Sequence, residues 1–422
     1  MKKFLLRIFT IALFISTCWA QESELSVRRA LEIARENNPQ INQLRQQIEK
    51  KRGQWWSSWG LADPELSYFS EGIDKETNKS FTEKRWTLTQ SIDFPLTTYY
   101  NLRQVGLEEA SLESRLQAKC LSLKMEIKSQ YAELVYAQEI VHLRREQLKI
   151  ARRLQDASVT RLEAGESSEL DLMKADILLA ESENSLDQAT RMFHQSRYNL
   201  FNLIGLDPEE QTYDLEFPDT LIYVEINIDQ ESVMDMLENQ PEYFSISQQL
   251  ESAEFGLSKA WTSLLPRIDL SYYRQNYGDG YNNYGYLIGL NIPLWFPLNQ
   301  RGKIQMSLAQ KRISQWQQKE MSLELKRQLE LAWHSYEVSK IVIERFHNQV
   351  RTKAARLSNL TLEGYLAGEI DQLTLLEAQR TYLNSEQDYF DILKTYYLRL
   401  IELEKFLQRD LVFSQDPFNC ND

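Results

Sequence analysis

The chain has 422 residues, 48 basic and 61 acidic side chains, a net charge of −13, and 42% hydrophobic against 26% charged residues. That balance excludes a disordered chain and a bundle of membrane-spanning helices, and the acid excess argues against a nucleic-acid partner. Three cysteines cannot build a disulfide scaffold or a cysteine-ligated zinc site, and 14 Gly with 10 Pro predict long uninterrupted elements.

Residues 1–20 read as an export signal. Lys2, Lys3 and Arg7 precede the apolar stretch Ile8 to Ile15, and Cys18-Trp19-Ala20 places small residues at −3 and −1 before Gln21. The apolar core is too short to span a bilayer. A lipoprotein reading with Cys18 acylated stands beside it, although Thr17 is a poor residue ahead of a lipidated cysteine. Removing the segment takes away three basic residues and brings the net charge to −16. No later stretch approaches the ~20 apolar residues of a spanning helix.

After the signal the chain reads helix, β-hairpin, very long helix, tight turn, helix, and then repeats that order. The first strand, Glu65 to Ser70, is interrupted in its alternation by Phe69. In the second, Trp86, Leu88, Ile92 and Phe94 oppose Arg85, Thr87, Thr89, Ser91 and Asp93. Tyr99 to Arg161 is rich in good helix formers and would reach roughly 90 Å. Its apolar residues Leu121, Met125, Ile127, Tyr131 and Leu134-Val135 recur at helical steps, which favours coiled-coil packing. In the second copy Ile268, Leu270 and Tyr272 share one face. Tyr284, Tyr286, Ile288, Leu290 and Ile292 do the same on the last strand.

The duplication is written in the prolines. Glu36-Asn37-Asn38-Pro39 matches Glu238-Asn239-Gln240-Pro241, Pro64 matches Pro266, and Phe94-Pro95-Leu96 matches Ile292-Pro293-Leu294. Leu162 to Glu166 matches Tyr365 to Glu369, and Ser182-Glu183 matches Ser385-Glu386. With the looser pair Pro208 and Pro417, eight of the ten prolines sit in pairs. The division is a first repeat 21–205, a linker 206–229, a second repeat 230–410 and a tail 411–422.

Alternating runs of about ten residues suit barrel strands in a membrane, and equally an ordinary half-buried hairpin. Trp55, Trp56, Trp59, Tyr99, Tyr100, Trp261, Trp295 and Phe296 gather at the same ends of the hairpins, as an interfacial aromatic girdle does. The polar loops Glu71–Thr82 and Gly278–Asn283 occupy the opposite ends. Four strands cannot close a barrel, and open edges are not tolerated in lipid. The hairpins therefore predict oligomerisation, with eight strands from two chains or twelve from three.

These features together resemble the TolC-like outer-membrane efflux family over essentially the whole mature chain. The carrying residues are the Glu36–Pro39 motif, Gln90 to Leu96, and the two turn motifs, Arg161–Asp171 and Tyr365–Leu376. Each turn motif leads into a helix anchored by alanine (Ala175, Ala378). The resemblance implies a mostly α fold with a small β part. A long α-helical barrel continues a β-barrel shared between subunits, with four strands per chain and twelve in a homotrimer. It implies a passive exit duct for small molecules or metal ions in the outer membrane, extending into the periplasm of a Gram-negative-type envelope. Its partners would be a periplasmic adaptor and an inner-membrane efflux transporter. The short linker and tail look more like the metal- and drug-efflux branches.

Residue by residue, the resemblance puts adaptor docking at the helix-reversal tips: Arg161, Leu162, Ala164, Gly165, Leu366, Ala367 and Gly368. It puts a periplasmic gate at Asp171, Tyr365, Asp371 and Glu377. Thr374 stands where a second ring acid belongs, and Ile370 replaces the gate arginine. The plain alternatives are hairpin turns and solvated helix acids. Nothing in the chain forms a catalytic set: His142, His194, His334 and His347 are scattered without metal-ligand spacing, and no cofactor or metal site is read. Cys120 reads as a small apolar core residue, and a bond to Cys420 is left open. A periplasmic coiled-coil structural or adaptor protein is the competing class, and it leaves the hairpins and aromatic girdle without a use.

Overall fold

The computed structural model describes residues 24–73, 81–165, 168–207, 216–229, 239–278, 282–295, 298–367 and 369–413. The signal segment with Cys18, Phe296, the tip residue Gly368 and the tail cysteine Cys420 lie outside the described residues.

The paired prolines punctuate the fold. Helix α1 (Val27–Asn37) is capped by Ser26, whose hydroxyl accepts the Arg29 N–H, and ends at Asn38. Pro39 opens α2 (Pro39–Ser57) and its counterpart Pro241 opens α5 (Pro241–Thr262). A proline at the first helical position gives up an N–H that has no partner there in any case. Pro64 and Pro266 stand just before the strands β1 (Glu65–Glu71) and β3 (Arg267–Asn276). Pro95 opens α3, which runs unbroken for 69 residues to Glu163, against the expected Tyr99 to Arg161.

The remaining elements are β2 (Glu83–Ile92), α4 (Glu169–Ile204), β4 (Asn282–Asn291), α6 (Asn299–Arg345), α7 (Thr352–Leu366) and α8 (Gln372–Leu407). Between α6 and α7 the helix widens into a π-helical turn, Phe346–Arg351, that no glycine or proline announces.

The chain divides into two compact units, and both cut across the repeat. One holds residues 40–119 and 234–328, with both hairpins; the other holds 1–39, 120–233 and 329–422, with both helix reversals. In the hairpin unit the strands form a single antiparallel sheet in the order β1-β2-β3-β4. The two hairpins join through β2 and β3, with Leu88 opposite Tyr272 and Thr89 opposite Ser271. Helices α3 and α5 meet there through small polar residues: the Ser111 hydroxyl donates to the Ser245 carbonyl at 2.9 Å, and Ser114 donates to Gln248 at 2.8 Å. Serines let two backbones approach closely while their hydroxyls stay satisfied.

In the other unit the core lies along α3, where Leu123, Ile127, Tyr131, Leu134 and Val135 are buried while Leu121 and Met125 are half-buried. The early Glu-Asn-Asn-Pro motif has a packing reason here. Buried Asn38 donates its side-chain amide to the Leu203 carbonyl at 3.0 Å, and Gly205, at φ +79, lets the Asn37 backbone approach the end of α4 closer than any Cβ would allow.

An ion cluster centred on the fully buried pair Lys128 and Glu404 fastens the end of α8. Lys128 on α3 donates to Glu404 and Asp410, both at 2.6 Å, and to the Val412 carbonyl at 3.0 Å. Glu404 also accepts the Leu411 and Val412 N–H groups, and Lys124 pairs with Asp410 at 2.7 Å. Burial raises the Glu404 pKa, with Lys128 opposing that rise. Cys120, read from the sequence as an apolar core residue, is buried and is held in a disulfide.

Replacing Lys128 by Met strands the buried Glu404 carboxyl without its counter-charge and leaves Asp410 paired with Lys124 alone. We expect it to lower unfolding stability by about 3–5 kcal/mol in denaturant titrations. Combining Lys128→Met with Glu404→Gln, which removes the stranded charge and keeps an acceptor for the Leu411 and Val412 N–H groups, is expected to restore part of that loss.

Candidate functional site

In the hairpin unit one sheet face is apolar and exposed. Leu66 pairs with Leu88, Tyr68 with Trp86, Tyr272 with Tyr286, and Leu270 with Ile288. Tyr286 and Ile288 are 75% and 72% exposed, an arrangement that water penalises and lipid does not. The opposite face is polar: the Thr89 and Ser271 hydroxyls bond at 2.9 Å, and Ser91 donates to Asp269 at 2.5 Å. Gly285 leaves room for the Tyr273 ring across the strand pair. Exposed Trp56, Trp59, Tyr99, Trp261 and Trp295 flank the ends of the strands as expected, and Trp55 packs edge-on against both Trp56 and Trp59. Among the described residues no helix is long and apolar enough to cross a membrane.

The other unit carries the helix reversals. Arg161, Leu162, Ala164 and Gly165 end α3, with Arg161, Ala164 and Gly165 exposed and Leu162 half-buried. Gly165 adopts φ +73, the left-handed conformation that stops a helix, and open space surrounds its missing Cβ. Ser168 and Asp171 then form a reciprocal capping box for α4. In the second copy Leu366 closes α7 and exposed Ala367 caps it. Asp371 caps α8 by accepting the Thr374 N–H at 3.0 Å. Glu377 is exposed in the second turn of α8, and Ala175 and Ala378 are buried.

Two departures noted in the sequence acquire local reasons. Ile370 packs where a Cβ on Gly364 would fall, and the Ile370 and Glu369 N–H groups both reach the Gly364 carbonyl. Thr374 supplies the amide that Asp371 caps. The expected gate residues are therefore structural groups of the turn as well as charges.

Arg161, expected at the docking tip, and Tyr365, expected at the gate, are brought together across the two reversals. The guanidinium donates to the Tyr365 hydroxyl at 3.1 Å and also lies over its ring. Lys174, which sequence reasoning did not single out, reaches Asp171 at 3.6 Å and its charge also acts on Asp371. An acid-to-basic step of three residues on a helix was the only signal for it. Hydrogen bonds from Ser168 hold the Asp171 carboxyl below its ordinary value, and hydrogen bonds from Thr374 do so for Asp371. Behind Tyr365 a cavity of about 510 Å³ lies between α3, α7 and α8, lined by Leu154, Asn359, Leu362, Leu375, Gln379 and Tyr382 among others.

Ser168→Ala removes the reciprocal cap and should cost the start of α4 about 1 kcal/mol, read as faster amide exchange at Leu170 to Leu172. Both capping carboxyls are depressed from 3.8, so their contribution is complete above that value and is lost as pH falls through the folded pKa. Protection at both reversals should hold from neutral pH down to about pH 4.

Comparison with known proteins agrees with this geometry. The cobalt-zinc-cadmium resistance protein CzcC of Cupriavidus metallidurans is 23% identical over 390 residues, 91% of this chain and 90% of its own. A membrane protein from Pseudomonas aeruginosa superposes with a TM-score of 0.75 at 18% identity, over 90% of each chain. The outer membrane protein VceC from Vibrio cholerae does so with a TM-score of 0.75 at 15% identity, over 90% of this chain and 95% of its own. The outer membrane efflux protein family matches twice, over residues 30–206 and again over 233–407. With an apolar sheet face for lipid and a family match across both copies, the chain belongs to the outer membrane efflux protein family, as an efflux channel of the outer membrane.

Proposed function

We propose that three copies of this chain close their sheets edge to edge into a twelve-stranded barrel, through which divalent metal cations leave the cell. The observation that carries the oligomer is the four-stranded sheet, whose end strands β1 and β4 each have a neighbour on one side within the described chain. Hydrocarbon offers no partner for the free side of such a strand, so a second and third copy must supply it. Three copies are preferred to two because twelve strands give a lumen, whereas eight leave an interior filled by side chains.

The choice of cargo rests on CzcC, whose name records resistance to cobalt, zinc and cadmium and which aligns over nine-tenths of both chains. The acid excess of the chain favours the same class, since a negative lining concentrates cations. The cargo is handed on by an inner-membrane transporter through a periplasmic adaptor. The adaptor docks on Arg161, Leu162, Ala164, Gly165, Leu366, Ala367 and Gly368, and the cavity behind Tyr365 offers it an apolar seat. Asp171, Asp371 and Glu377 form the ring at the periplasmic mouth, partly offset by Lys174. The Arg161–Tyr365 contact ties the two reversals together in place of the missing gate arginine.

A host lacking the gene should lose tolerance to cobalt, zinc or cadmium and regain it with the wild-type protein. Gly165→Trp should abolish that rescue and adaptor cross-linking. Gly165→Asn, which accepts the left-handed conformation, should keep both. Full rescue by the Trp variant would remove the tip from the docking surface. In planar bilayers Glu377→Ala and Asp171→Ala should each reduce cation preference, and Tyr365→Phe should raise open probability. Unchanged selectivity and gating in all three would overturn the gate assignment. Native mass spectrometry of the detergent-extracted protein reads the copy number directly.

A further inference from the structure

Residues 216–229 belong to neither a helix nor the sheet, yet three tyrosines hold them in a regular way. The Tyr397 hydroxyl donates to the Ile222 carbonyl at 2.8 Å and accepts the Ile222 N–H at 3.2 Å. Tyr396 donates to the Val224 carbonyl at 3.1 Å, and Tyr336 donates to the Ile226 carbonyl. Carbonyls of every second residue pointing one way mark an extended strand. Here helices α6 and α8 stand in for the neighbouring strand, with side-chain hydroxyls in place of a backbone ladder.

Among the described residues nothing hydrogen-bonds to the other side of this strand. The backbone groups of Tyr223 and Glu225 point away from the tyrosines, and among the described residues no backbone hydrogen bond engages either. Buried Leu221 pins the strand from below, and Tyr223 packs against His347 and Tyr396, while Ile222 and Val224 are 62% and 55% exposed. The sequence Leu-Ile-Tyr-Val-Glu-Ile-Asn-Ile at 221–228 has the β-branched and aromatic content of a strand. An extended, largely apolar edge with no backbone partner among the described residues is the kind of surface to which an extended peptide adds.

Charge decides what that peptide is. Residues 216–229 contain Glu216, Asp219, Glu225 and Asp229 and no basic residue, and Lys340 on α6 reaches Glu225 only at 4.0 Å. A second copy of the same strand would bring no cation to Glu225, the one acid within 221–227, whereas a basic strand would. We propose that the 221–227 edge accepts an extended segment of another protein of the same compartment, alternating basic and apolar residues, as an added strand.

The test uses the intact protein in detergent and a ten-residue peptide alternating lysine and valine. Two control peptides replace lysine by glutamate, or keep the lysines and place proline at alternate valines. The lysine–valine peptide should slow amide exchange across 221–227 at least tenfold, and neither control should. Glu225→Lys should weaken its binding by about fivefold, the size of one exposed ion pair, and strengthen binding of the glutamate peptide. Equal binding of the proline peptide would reduce the effect to charge alone and overturn strand addition. Amides of Tyr223 and Glu225 already protected before peptide is added would assign the edge to a neighbouring copy and also overturn it. So would unchanged exchange with every peptide.

Discussion

A β-strand whose outer edge has no partner cannot rest in hydrocarbon, because each unpaired N–H and carbonyl there costs several kcal/mol. Among its described residues this chain makes four strands and joins them in one sheet, with an apolar face exposed and a polar face behind it. Neither repeat supplies enough strands to escape that constraint, and both together do not. The pairing of β2 with β3 brings the hairpins of the two copies side by side, so the sheet is already a product of the duplication. In the proposed assembly further copies of the chain close the sheet, and the duct follows from that closure.

Away from the sheet the fold is held by polar contacts inserted among long helices. Helices that run for tens of residues pack by repeating apolar side chains, and such repeats leave axial register weakly specified. The Lys128 cluster fixes one register, because moving it would leave charges buried and unpaired. Asn38 on the Leu203 carbonyl, and the bidentate pair of Arg351 with Glu386 at 2.9 Å beside the π-helical turn, fix others. The π-turn widens the helix where Arg351 also lies over the Tyr389 ring, and π-turns inside helices recur at functional places.

At the helix reversals the same side chains cap helices and set charge. Asp171 and Asp371 each close an exposed N-terminus and stay ionised because the cap holds them so. In the proposed pore ring these carboxylates would be fixed in place by the backbone they cap. Lys174 pairs with Asp171 and its charge also acts on Asp371, and Ile370 packs over Gly364.

Local pattern was enough for much of this. The paired prolines, the alternation from Trp86 to Phe94 and from Tyr284 to Ile292, and the helix-forming run after Pro95 could be read directly, since each depends on neighbours within a few residues. They determined the strands, the long helix to within four residues at its start and two at its end, the reversals at Gly165 and near Gly364, and the resemblance to efflux channels. Lys128 looked like any cation on a charged helix. Its burial depends on Glu404 and Asp410 nearly three hundred residues away. The Arg161–Tyr365 contact, the dual reach of Lys174, the π-turn and the tyrosine-held strand at 222–226 share that character. Periodicity records which way a side chain points from its own element, and only tertiary structure decides which distant group it meets.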